Sequence, residues 1–179
     1  MRDRLTVAGL VVVWLAAIVL ANLTLTHFGP SWIVINAFLL IGLDFVTRDR
    51  LADFWGTSRY LKMGLLIAVG GGLSYWLNRN AAQIALASAV SFAAAEAVEA
   101  GAYHLLRRQP WEDRAPKSAL VAAIVDSLVF PTLAFHAFSF TTSFTQFCAK
   151  LAGATVWTWV VANTIRAPRE APAIPVEVV

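Results

Sequence analysis

Apolar residues run along this chain in six long blocks, separated by short polar, glycine- or proline-bearing stretches. The blocks cover Leu5 to Leu25, Ser31 to Thr47, Tyr60 to Asn78, Ala81 to Leu106, Ser118 to Phe138 and Ser143 to Ile165. Each is near the ~17–25 residues that a helix needs to cross the hydrocarbon core of a bilayer. The pattern predicts an all-α polytopic membrane protein, a bundle of six transmembrane helices. The second block is the shortest and carries Asp44. Breakers stand where the blocks end: His27-Phe28-Gly29-Pro30 between the first two, and Pro110 and Pro116 around the loop before the fifth. Pro168, Pro172 and Pro175 predict an extended, mobile tail over 167–179, leaving 1–166 as one transmembrane domain. Met1-Arg2-Asp3-Arg4 resembles the charged start of a signal peptide. The apolar run behind it is longer than a usual signal core, so the first block reads as a retained helix.

Composition excludes the soluble classes. Of 179 residues, 59% are hydrophobic and 14% charged, and mean hydropathy is +0.66. Soluble domains hold about 45–50% apolar and about 25% charged residues. One cysteine, Cys148, excludes a disulfide scaffold. A net charge of +3 gives little support to nucleic-acid binding. The basic residues instead predict orientation. Arg2 and Arg4, then Arg48, Arg50, Arg59 and Lys62, then Arg107, Arg108, Arg114 and Lys117, then Arg166 and Arg169 fall on one side of six crossings, twelve of the 14. By the positive-inside rule that side, with both termini, is cytoplasmic, in a cell (inner) membrane. Trp32 and Trp76 fit an outer aromatic belt, and Trp55, Tyr60 and Trp111 an inner one.

Ionisable groups inside spans are costly, so each raises a functional question. Asp44 lies in the second block, Glu96 and Glu99 in the fourth, Asp126 beside Ser127 in the fifth, and Gln146 and Lys150 in the sixth. Glu96 and Asp126 sit at similar depth, about 10 and about 8 residues from the inner ends of adjacent helices, or ~15 and ~12 Å. They are expected to face one cavity. Asp44 and Glu99 lie nearer the cytoplasm. Helical spacing aligns Ser88, Phe92, Ala95, Glu99 and Tyr103 with Glu96 beside them, and it aligns Gln146, Lys150, Gly153, Trp157 and Thr164. Pro131 removes the usual helical partner of the Ser127 carbonyl. Gly70-Gly71-Gly72 permits close packing or bending. Plainer readings stand beside these. Asp44 can pair with Arg48 one turn on, Lys150 can snorkel, and Asn22 and Asn36 can simply bond neighbouring helices. His104, His136 and Cys148 share no metal-ligand spacing, so no metal is expected. No phosphate loop or nucleophile elbow occurs.

Three strings carry a resemblance. Asn36-Ala-Phe-Leu-Leu-Ile-Gly-Leu-Asp44 with Thr47-Arg48-Asp49-Arg50-Leu51 is the first. Ala85-Leu86-Ala87-Ser88-Ala89-Val90-Ser91-Phe92 leading to Glu96 is the second. Val125-Asp126-Ser127-Leu128-Val129-Phe130-Pro131-Thr132-Leu133-Ala134-Phe135 is the third. In this order, with Asn22 before them, they resemble the VUT family of vitamin-uptake and queuosine-precursor transporters, and look closest to a compact branch seen in actinobacteria and their phages. The likeness covers roughly residues 15 to 165. It implies a six-helix bundle that takes up 7-deazaguanines such as 7-cyano- or 7-aminomethyl-7-deazaguanine.

The residues fit such a ligand. A carboxylate can accept the ring N–H and exocyclic amine of a guanine-like edge together. Glu96 and Asp126 are the candidates for that part. Asn36, Ser127 and Gln146 are candidates for the other polar atoms, and Phe92, Phe130 or Trp157 for stacking. Asp44, Glu99 and Lys150 are candidates for proton or cation coupling. Expected partners are a purine-like small molecule and the lipid bilayer, with no nucleic acid and no cofactor; a homo-oligomer stays open. The alternatives are a non-transporting subunit or scaffold and, weakest, an intramembrane enzyme using the carboxylates as acid and base.

Overall fold

The computed structural model of the chain describes residues 2–106 and 111–164. The tail expected over 167–179 lies outside the described residues, as do Arg107, Arg108, Arg166, Arg169 and the side chains of Tyr103, His104, Trp111 and Arg114. Helix α1 spans Arg2–Phe28, α3 Arg59–Leu77, α4 Ala82–Leu105, α5 Trp111–Phe135 and α6 Phe140–Thr164. Helix α2 runs over 33–55 in three joined pieces: α-helical Ile33–Asn36, a π-helical turn Ala37–Ile41, and α-helical Gly42–Trp55. Short connectors make successive helices antiparallel.

The six expected blocks therefore appear as six long helices, with shifted ends. Helix α2 continues past Thr47 to Trp55, because Arg48-Asp49-Arg50 forms helix although it ends the apolar run. Helix α5 starts at Trp111 and absorbs Pro116, which the sequence places in a loop. Pro116 is the sixth residue of that helix, so it leaves the carbonyl of Glu112 without its usual helical donor. The same helix stops at Phe135, where His136 takes a positive φ of 54°.

Four segments are long and apolar enough to cross a membrane: Arg4–Phe28, Pro30–Ala52, Arg59–Leu77 and Arg79–Ala102. A shorter apolar stretch covers Leu120–Phe135. Helix α6 has 25 residues, but threonines, Gln146 and Lys150 dilute its apolar content. Several such helices make the chain a multi-pass membrane protein. The distribution of polarity agrees with this. Leu61, Leu65, Leu73, Trp76 and Leu77 of α3 are exposed, whereas Asn22, Asn36, Asp44, Arg48, Asp126, Gln146 and Lys150 are buried. Water would favour the reverse arrangement; lipid favours this one.

Two apolar clusters hold the bundle. Leu10, Trp14 and Ile18 of α1 pack with Leu51, Met63 and Phe92. Toward the other end, Leu25, Ile33, Ile84, Ala87 and Ala134 pack together. Gly70 lets α3 meet α1, since a Cβ there would stand 3.3 Å from Ile18 Cγ2. Gly72 faces open space, so only part of the glycine run serves packing.

The tightest glycine contact lies between α2 and α6. A Cβ on Gly42 would be 2.7 Å from the Gly153 carbonyl carbon, and one on Gly153 would collide with the Phe38 carbonyl. This crossing sits at the π-helical turn. A π-turn displaces carbonyls from the regular ladder, and the Trp157 indole N–H donates to the Leu39 carbonyl at 2.9 Å. The crossing fixes where the rest of α6 points, including Gln146 and Lys150 one to two turns away.

Candidate functional site

Polar side chains on the inner faces of the helices gather in two groups. The first surrounds a narrow cavity between α1, α2, α4, α5 and α6, with about 360 Å³ of space counted to its walls and out through its mouth. Asn22, Asn36, Ser88, Asp126, Gln146 and Lys150 supply its polar wall, and Phe92 and Phe130 its aromatic one. Lys150 donates to Asp126 Oδ2 at 2.6 Å and to the Ser127 hydroxyl at 3.2 Å. Both charged side chains are 2% exposed. Lys150 thus does not snorkel. Its ammonium is held in the bundle by a carboxylate from the neighbouring helix.

That pair is incompletely satisfied. Asp126 Oδ1 and Gln146 Nε2 are buried without a hydrogen-bond partner. Buried polar atoms are nearly always bonded, because an unmade bond forfeits the solvation they left behind. An acceptor and a donor left open on one cavity wall are what a ligand with a matching edge would fill. The other polar walls are already committed. The Asn36 amide donates to the Ala21 carbonyl at 3.1 Å and meets the Thr24 hydroxyl at 2.9 Å. Asn22 donates to the Ser74 hydroxyl at 3.0 Å. Both asparagines therefore tie α1 to a neighbour while lining the cavity.

The second group lies one turn along α4. Arg48 of α2 reaches Glu96 at 2.7 Å and Glu99 at 3.2 Å. Asp49 stands 3.7 Å from its Nε, and Phe45 lies under the guanidinium at 4.9 Å. Glu96 and Asp126 consequently do not share the cavity, as their matched depth led us to expect. Glu96 is drawn to an arginine that is remote in sequence, and it is absent from the cavity wall. Glu99 is held by the same arginine. Asp44, one turn before Arg48, is buried off the wall with its Oδ1 unpartnered, and the arginine reaches across to α4 instead of back to it. Ser127 stands behind the wall and anchors Lys150. Trp157 is bonded to the α2 backbone, away from the cavity.

Of the polar wall residues, the sequence marks Asn36, Asp126 and Gln146 as ligand candidates and Lys150 as a coupling candidate, while Ser88 and Asn22 read as stripe and packing positions. Among the described residues no three His, Cys, Asp or Glu side chains come together in a way that could hold a metal. Cys148 is exposed.

A bundle of long apolar helices around a buried, charge-paired cavity defines a class: a multi-pass membrane protein with a polar interior. The comparison with families goes further. The family described as "Putative vitamin uptake transporter" matches residues 4–163, and the chain belongs to that family. No curated protein and no solved structure matches the chain. Family membership makes transport the activity to explain.

Proposed function

We propose that the protein takes up a 7-deazaguanine base, such as a queuosine precursor, through the cavity at Asp126, crossing the cell membrane six times with both termini cytoplasmic. One observation carries the reading: an open acceptor, Asp126 Oδ1, and an open donor, Gln146 Nε2, on the same cavity wall. A guanine-type edge offers adjacent N–H donors and a carbonyl acceptor, and so meets both. Phe92 and Phe130 supply ring faces beside them. Asn36 and Ser88 contribute wall polarity, and Ser127 holds Lys150 in place.

The walls stand close, so a bicyclic base enters only when they part. The Arg48–Glu96–Glu99 group bridges α2 to α4 between the cavity and the end that the positive-inside rule makes cytoplasmic. It is suited to close that side while the base is bound. Asp44, buried between the two groups without a partner at Oδ1, is the position for proton or cation coupling, with Glu99 and Lys150 as the paired groups it would work with.

Uptake of labelled 7-cyano-7-deazaguanine, in cells that neither make nor import it, tests the reading. Expression of the wild-type chain restores uptake, and Asp126→Ala abolishes it at equal membrane abundance. Wild-type uptake by that variant would remove the site assignment. Failure of the wild-type chain to import any 7-deazaguanine, alone or with co-purifying proteins, would favour a non-transporting subunit.

A further inference from the structure

We infer that Lys150 acts as an internal counter-ion that makes the cavity selective for uncharged bases and excludes analogues bearing a protonated amine. The inference rests on the proposed base-uptake reading and concerns which bases the site accepts. Among the described wall residues only two are charged, Asp126 and Lys150, one of each sign and 2.6 Å apart. The wall is therefore neutral before a ligand arrives. Among the described residues the other acids of the bundle interior are engaged or off the wall: Glu96 and Glu99 are on Arg48, and Asp44 does not line the cavity.

An uncharged base can use Asp126 Oδ1 and Gln146 Nε2 without disturbing the pair. An ammonium-bearing base brings a third charge into a site whose paired side chains are 2% exposed. The one carboxylate on the described wall, Asp126, is already neutralised by Lys150, and the Lys150 ammonium repels the newcomer. A buried charge without a partner is strongly disfavoured. At an effective dielectric of ~20, repulsion across ~6 Å alone amounts to roughly a hundredfold, and attraction to the already paired Asp126 offsets part of that. A net preference of about tenfold or more follows.

The same geometry makes the preference removable. Lys150→Met leaves Asp126 as an unpaired carboxylate, which an ammonium would then neutralise. Lys150→Arg keeps the charge and should keep the preference.

The experiment is competition at the purified, detergent-solubilised chain, where no membrane potential acts. Labelled 7-cyano-7-deazaguanine, which is uncharged, is displaced by its unlabelled form or by 7-aminomethyl-7-deazaguanine, whose primary amine is protonated at neutral pH. The wild type and Lys150→Arg are expected to bind the neutral base at least about tenfold more tightly. Lys150→Met is expected to bring the two within about threefold or to reverse them, and Arg79→Gln, which removes an exposed cation away from the wall, to leave the wild-type ratio unchanged. Equal competition at the wild type would overturn the inference and leave the uptake reading intact. A lost preference in Arg79→Gln would also overturn it, by moving the discrimination off Lys150. A wild type that binds neither base overturns the uptake reading itself and this inference with it. Should Lys150→Met fail to fold, the wild-type ratio and the Arg79→Gln arm still decide.

Discussion

Two ionic groups stand inside the bundle, one joining α2 to α4 and the other α5 to α6, and they are built differently. Around Arg48, one cation meets two carboxylates on a partner helix, with Glu96 and Glu99 side chains 20% and 24% exposed. Around Lys150, one cation meets one carboxylate, both side chains are 2% exposed, and two polar atoms beside them stay open. The first group is saturated, and partial solvent contact softens its desolvation. The second is neutral in sum, dry and unfinished. A saturated contact between helices suits a latch. An unfinished pair on a cavity wall suits a ligand.

That contrast can be broken at either group, and the larger effect is expected at the second. Removing one partner of a buried pair leaves an uncompensated charge, at a cost of about 3–5 kcal/mol. Lys150→Ala should therefore lower the thermal stability of the purified protein sharply. The double variant Asp126→Asn with Lys150→Met should recover most of that stability while leaving uptake abolished. Recovery of both stability and uptake would show that the pair is only a packing device.

The next effect belongs to the α2–α6 crossing that aims the pair. Gly153→Ala drives a methyl group into the Phe38 carbonyl. Overpacking of this kind costs about 1–3 kcal/mol. Uptake should fall with it, because Gln146 and Lys150 would shift together. Trp157→Phe removes only the indole bond to the Leu39 carbonyl and should cost about 1 kcal/mol. A thermal-shift comparison of the two variants in one detergent separates the effects.

At the Arg48 group a milder and different signature is expected. Glu96→Gln leaves Glu99 on the arginine, so stability should change by only about 1 kcal/mol. The uptake rate should drop about tenfold or less, with the apparent affinity for the base unchanged. The smallest expected effect is on apparent affinity in Gln146→Leu, which weakens binding by about fivefold through one lost hydrogen bond while the pair stays intact. Concentration dependence of initial uptake rates distinguishes the two variants.

Much of this architecture was legible in the chain, because lipid imposes one rule on every span. Apolar blocks of helix-crossing length marked the helices, and a polar residue within a block marked the interior. Helical spacing put Gln146, Lys150, Gly153 and Trp157 on one face, and the structure uses that face twice, for the cavity and for the α2 crossing. Partners across helices were harder to read. Glu96 stood alone in sequence because Arg48, which binds it, closes a different apolar run on another helix. Depth along a helix axis placed Glu96 and Asp126 level with each other, yet depth says nothing about rotation about that axis. The π-turn at Ala37–Ile41 was also hidden. It depends on the close α2–α6 approach, for which Gly42 and Gly153 were the only local signs.

The most direct test of the contrast is equilibrium binding of labelled 7-cyano-7-deazaguanine to the purified chain, with Asp126→Asn and Glu96→Gln measured side by side. Loss of binding in Asp126→Asn, with wild-type affinity in Glu96→Gln, is the predicted result. Undiminished binding in Asp126→Asn, or an equal loss in both, would contradict the assignment of the ligand to the Lys150 pair and of the latch to Arg48.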